Sequence, residues 1–196
     1  LKYIFILIIT YSLSIPLVAE EFVIDNNDLI ISGAKVEDVD KILSLLENNE
    51  NINRVVFNGV YQGGQTDGLE ISDLIIDFEL DTHIIDYCWG NCIFMFMGGQ
   101  NRTMAKGSEL AINMTGYRLE FIEGIIENKD YEVLGSLSEY IVWVDETARE
   151  EIIEYFTLLL EQGVKPSFII ESIEKASKEN WIPRRKKLLE ANILTK

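Results

Sequence analysis

The apolar positions along the chain follow two rhythms. Short apolar runs bounded by turn residues read as buried strands: Asp28 to Gly33, Val55 to Phe57, Thr82 to Tyr87, and Glu109 to Asn113. Between them, Val39, Ile42, Leu43 and Leu46 recur at helical spacing within residues 36–48, and Ile71, Leu74, Ile75 and Phe78 within residues 67–79. The residues just before Asp28 read as a polar lead-in, and Asn51 to Arg54 as a polar turn. Gly59, Gly63 and Gly64 break the loop Asn58 to Asp67. Strands alternating with helices through short connections predict crossover units on a largely parallel sheet covered on both faces. Beyond Asn113 helices dominate. Tyr117 to Asn128 is one, and Ile152, Ile153, Phe156, Leu159 and Leu160 mark a second, stopped by Gly163. Pro166 opens a third that runs to about Ser177, and Trp181 to Ile193 holds a short closing helix.

The centre of this pattern is Tyr87 to Arg102, reading Tyr-Cys-Trp-Gly-Asn-Cys-Ile-Phe-Met-Phe-Met-Gly-Gly-Gln-Asn-Arg. A strand, a tight turn and a bulky apolar helix in that order set a backbone turn at the mouth of the sheet. Its N–H groups face whatever binds there. Phe94, Met95, Phe96 and Met97 read as core.

The N-terminus changes the picture. Lys2 precedes an apolar run, Tyr3 to Ile15, and Pro16-Leu17-Val18-Ala19 stands before Glu20-Glu21. This is the layout of a secretory signal peptide cleaved after Ala19, which predicts a periplasmic or secreted protein with no membrane span after cleavage; an uncleaved N-terminal anchor is the alternative reading. Residues 20–196 then form a single domain. The chain carries 17 basic and 33 acidic residues, a net charge of −16. Such a surface repels nucleic acid and anionic lipid, so neither is expected as a partner. Arg184-Arg185-Lys186-Lys187 reads as a solvated helix face. Export would place Cys88 and Cys92 where a disulfide can persist; a bond across the turn and two buried thiols both fit the spacing.

The order of elements, the Gly-Gly loop and the Cys-x-x-x-Cys turn resemble the Clp protease/crotonase superfamily, in particular its exported ClpP-like branch. The matching segments are Val60-Tyr61-Gln62-Gly63-Gly64, Cys88-Trp89-Gly90-Asn91-Cys92, Phe96-Met97-Gly98-Gly99-Gln100-Asn101-Arg102 and Ala111-Ile112-Asn113. Near the end, Gly163-Val164 and Trp181 to Thr195 are similar to the family's closing helices, while residues 114–150 match poorly. The resemblance implies an α/β fold of stacked ββα units, with a mostly parallel sheet and a helical C-terminal part.

It also implies where chemistry would lie. The family's serine nucleophile falls on Gly90 and its histidine base on Asn113, and neither can do that work. Gly63 and Gly64 keep the backbone donors of an oxyanion loop, and Asn91 adds an N–H after the turn. The expectation is therefore an exported, catalytically degenerate protein that binds a peptide or carboxylate through those loops. The alternatives are a hydrolase with a rearranged site using Cys92 or another residue not marked by the sequence, or a structural subunit of a homo-oligomer. His83, the one histidine, reads as surface or satisfied structure, and Thr66 and Ser108 have no activating partner in sequence. Two cysteines with one distant histidine are too few for a zinc site, and no metal or cofactor is called for.

Overall fold

The computed structural model describes residues 21–33, 38–61, 65–113, 126–129, 132–133, 135–176 and 180–196. The expected leader and the glycines at 63 and 64 lie outside them, as does most of the helix expected over Tyr117 to Asn128, of which residues 126–128 are helical.

The strands are β1 (Glu21–Asp25), β2 (Asp28–Gly33), β3 (Arg54–Tyr61), β4 (Asp81–Ile84), β5 (Tyr87–Trp89), β6 (Arg102–Met104) and β7 (Glu109–Ala111). Among them run α1 (Val39–Glu47), α2 (Gln65–Asp77) and α3 (Cys92–Met97), followed by α4 (Leu137–Glu161), α5 (Pro166–Ala176) and α6 (Arg185–Glu190). All seven strands belong to one sheet, and every pairing between them is parallel except β1 with β2. The expected α/β architecture is present.

Three local expectations are corrected. The polar lead-in is a strand: β1 pairs antiparallel with β2 across a turn at Asn26 and Asn27, with Asn26 at φ 55. Acids and asparagines flank this short run, and as an edge strand it leaves Val23 and Ile24 exposed, so its apolar signal is weak. The strand expected over Thr82 to Tyr87 is two strands, β4 and β5, because β3 changes partners along its length. Its first half pairs with β4 through Phe57↔Ile84, and its second half with β5 from Val60↔Cys88. Gly59, at φ 72, carries β3 across the change. The segment after α3 is not a mere helix end: β6 extends the sheet beside β4, while β7, the strand expected from Glu109, lies beside β5. The sheet is thus split into a broad part, β1-β2-β3-β4-β6, and a narrow part, β3-β5-β7.

The core lies where α3 meets the sheet. Every residue of α3 is buried, with the Phe96 ring edge-on to Phe57 at 6.4 Å and Phe94 edge-on to Tyr155 of α4 at 5.9 Å. The buried face of α4 is also corrected. Val144, Tyr155, Leu158 and Leu159 are buried, whereas Ile152, Ile153 and Leu160 of the expected stripe are exposed. Trp181 is not helical; it forms a two-way antiparallel bridge with Ile112, N–H to carbonyl at 2.9 Å each way.

Arg102 anchors the exit from α3. Only 5% exposed, it spends five guanidinium hydrogen bonds on Ile193 O, Gly99 O, Gln162 Oε1, Gln162 O and Asn192 O. Its backbone pairs with Thr195, whose N–H donates to Arg102 O at 2.9 Å. Burial lowers its pKa from the ordinary value. Carbonyl dipoles compensate the charge in place of a carboxylate.

Candidate functional site at the strand ends

The narrow part of the sheet gathers three strand ends. Tyr61 of β3 pairs with Trp89 of β5, and Trp89 pairs with Ala111 of β7. The glycine loop follows Tyr61, the Gly90–Asn91 turn follows Trp89, and Asn113 lies two residues past Ala111. These ends form the carboxyl edge of parallel strands, where crossover folds place their ligands. The register therefore brings Gly90, Asn91 and Asn113 to one edge, and it aims the chain entering Gly63 and Gly64 at that edge too.

The turn has a local cause. Gly90 takes φ 64, a left-handed conformation that a Cβ would strain, and its N–H donates to Ala111 O at 3.1 Å. That bond continues the β5–β7 ladder, so the Gly90 N–H is committed to the sheet. The Phe94 N–H then donates to Asn91 O at 3.0 Å and the helix begins. Close approach of neighbouring backbone holds the helix in place. A Cβ on Gly68 of α2 would sit 3.2 Å from Asn91 O, and one on Gly99 would run into the Thr82 side chain.

Cys88 and Cys92 are disulfide-bonded, with Cα atoms 5.4 Å apart and both side chains fully buried. The bond spans the turn and ties β5 to the first residue of α3. Of the two options that the spacing allowed, this is the one present. Cys92 consequently offers no thiolate, which removes Cys92 as the nucleophile of a rearranged hydrolase site.

His83 is not brought to this edge. It pairs in register with Val56, five residues before Tyr61 and thus roughly 16 Å away along the strand. Its Nδ1 lies 2.7 Å from Thr103 Oγ1. Burial lowers its pKa, with Arg54 and Arg185 acting the same way and Asp28 opposing. Ser108 donates to Ala105 O at 2.7 Å. The contact of His83 is thus with the Thr103 hydroxyl and that of Ser108 with a backbone carbonyl, so the two are not paired with each other. In the basic run, Arg185 is not simply solvated: it donates to Met104 O at 2.6 Å and to Lys196 O at 3.1 Å. Among the described residues no cluster of three or more His, Cys, Asp or Glu could hold a metal, and no helix is long and apolar enough to cross a membrane.

The sequence reading missed an aromatic group on the face of β5 opposite Cys88. The Trp89 indole lies 5.0 Å from the Tyr87 ring and 6.3 Å, edge-on, from the Tyr61 ring. The alternation Tyr87-Cys88-Trp89 was the available signal, since period two sends both aromatics to one face.

No protein-family model matches the chain, and no curated protein matches its sequence. Solved structures do match its fold. A mutant of ClpP1 from Listeria monocytogenes aligns with a TM-score of 0.54 at 16% identity, over 87% of this chain and 90% of that one. At that identity the likeness is one of architecture: the chain has a ClpP-like fold.

Proposed function

We propose that this chain is an exported ClpP-like protein that has lost serine-protease catalysis and acts by binding a peptide or carboxylate at the strand ends. One observation carries the reading: the turn between β5 and α3, where a nucleophile would have to stand, is occupied by Gly90 at φ 64. Glycine offers no atom to attack a carbonyl. Two further features support it. Asn113, exposed two residues beyond β7, has an amide that neither takes nor returns a proton near neutral pH, and Cys92 is sealed in the disulfide. What remains is the turn after β5, with the Gly63–Gly64 loop following β3 in sequence, and together they would hold a carbonyl or carboxylate oxygen without acting on it.

Export rests on the leader ending at Ala19, and N-terminal sequencing of protein recovered from the periplasm or medium, starting at Glu20, would support it. The site is tested by treating the folded protein with fluorophosphonate and iodoacetamide. No labelling is expected. Stoichiometric labelling of one residue that disappears on unfolding would overturn the reading in favour of an active hydrolase. A second reading, a subunit of a homo-oligomer, draws on α4, where Ile141, Val142 and Trp143 stand 54%, 56% and 49% exposed. Light scattering across a dilution series measures it.

A further inference from the structure

Buried hydrogen-bonding atoms are nearly always paired, so an orphan calls for an explanation. Two occur among the described residues: Ser72 Oγ and Trp89 Nε1. Ser72 lies inside the α2–α3 contact, where a Cβ on Gly98 would meet its hydroxyl at 3.0 Å, and packing leaves no room there for a ligand. Trp89 is different. It is the last residue of β5, immediately before Gly90, and its ring lies on the sheet face away from the core. Val60, Cys88 and Leu110, which pair across the sheet, are fully buried on the other face. Tyr61, Tyr87, Trp89, Glu109 and Ala111 therefore share the outer one.

We infer that Trp89 is the hydrogen-bond donor of an aromatic subsite that takes the neutral carbonyl oxygen of an amide. The inference rests on the binding reading above and narrows it, because it selects amide over carboxylate. An indole N–H donates and never accepts, so a ligand that pairs with it must bring an acceptor, such as a carbonyl oxygen. The rings of Tyr61 and Tyr87 flank the indole and supply a flat apolar wall for whatever carries that oxygen. Charge makes the choice. Glu109 pairs in register with Tyr87 on the same face, and the chain as a whole is at −16, so a carboxylate would meet like charge there while an amide would not. Reaching the buried nitrogen takes a side-chain move within the aromatic group, whose Tyr61 ring is 42% exposed.

The test follows the three tryptophan indole signals of the 15N-labelled protein by NMR, with Trp89→Phe identifying the one that matters. The probes are 3-phenylpropanamide and 3-phenylpropanoate, which set an amide against a carboxylate with no other carbonyl in either molecule. The expected result is a saturable shift of the Trp89 indole proton with the amide, at least about tenfold weaker binding of the acid, and about tenfold weaker amide binding in Trp89→Phe. If the backbone amides of Gly90, Asn91 or Asn113 shift while the indole stays still, the strand ends bind without Trp89; the inference fails and the broader reading survives. If nothing shifts with either probe, both fail. Equal binding of acid and amide overturns the charge argument and the inference with it. Should Trp89→Phe not fold, Trp143→Phe and Trp181→Phe assign the same signal by elimination.

Discussion

Glycine at position 90 is a statement about both conformation and chemistry. A side chain at φ 64 costs about 1–2 kcal/mol, so Gly90→Ala should lower stability by roughly that amount in a urea titration. Gly90→Ser would suffer the same strain, and with Asn113 in place of a base it should gain no reactivity towards fluorophosphonate. Arg102 is the other residue whose loss is severe. Arg102→Met would leave five acceptor bonds unmade in a buried place, and a loss of about 3–5 kcal/mol is expected. His83 sets a pH dependence. Burial lowers its pKa, so the unfolded chain binds the proton more tightly than the folded one. Its contribution is therefore full above the ordinary value of 6.5 and is lost as pH falls from there towards the folded pKa. Thermal melts between pH 7 and pH 5 should fall less steeply for His83→Gln than for the parent chain.

At the scale of elements, the disulfide is the device that holds the turn. It closes a short loop, and the chain-entropy argument gives about 2 kcal/mol for such a link. Denaturant midpoints with and without a thiol reductant should differ accordingly, and native protein should show no accessible thiol. This scale also explains what could be read from sequence. The period-2 and period-3.6 patterns placed β2, α1, α2 and the start of α5 within a few residues, because each buries one clear face. They missed β1, β6 and the split between β4 and β5. Those strands are short, and their limits are set by the partner: β3 changes neighbours at Gly59, which no pattern within residues 82–89 records. The site was legible in part. The Gly90 turn and Asn113 stood out as departures from a resemblance, and the register places them on one edge. Trp89 did not stand out, because an unmet hydrogen bond exists only once the surroundings are folded.

For the molecule as a whole, fold and surface answer different questions. A likeness at 16% identity says that the backbone plan tolerates wide change in sequence, and it leaves the chemistry to the individual residues. The net charge of −16 governs encounter. Cationic or neutral partners should associate faster than anionic ones, and raising the salt from about 0.05 to 0.5 M should shrink that difference as the screening length falls below about 10 Å. Stopped-flow measurement with a basic and an acidic peptide of equal length would read it.

Arg102 has a consequence for biosynthesis. Its guanidinium closes on the carbonyls of Asn192 and Ile193, and its backbone on Thr195, partners that lie 90, 91 and 93 residues further along. A chain emerging from its N-terminus can pair β2 with β3 early, but the Arg102 guanidinium has only its Gly99 and Gln162 acceptors until residues 192–195 have been made. The exit from α3 thus locks only once residues 192–195 are present, and a nascent chain stalled before Asn192 should remain loosely packed and sensitive to protease near the turn between β5 and α3.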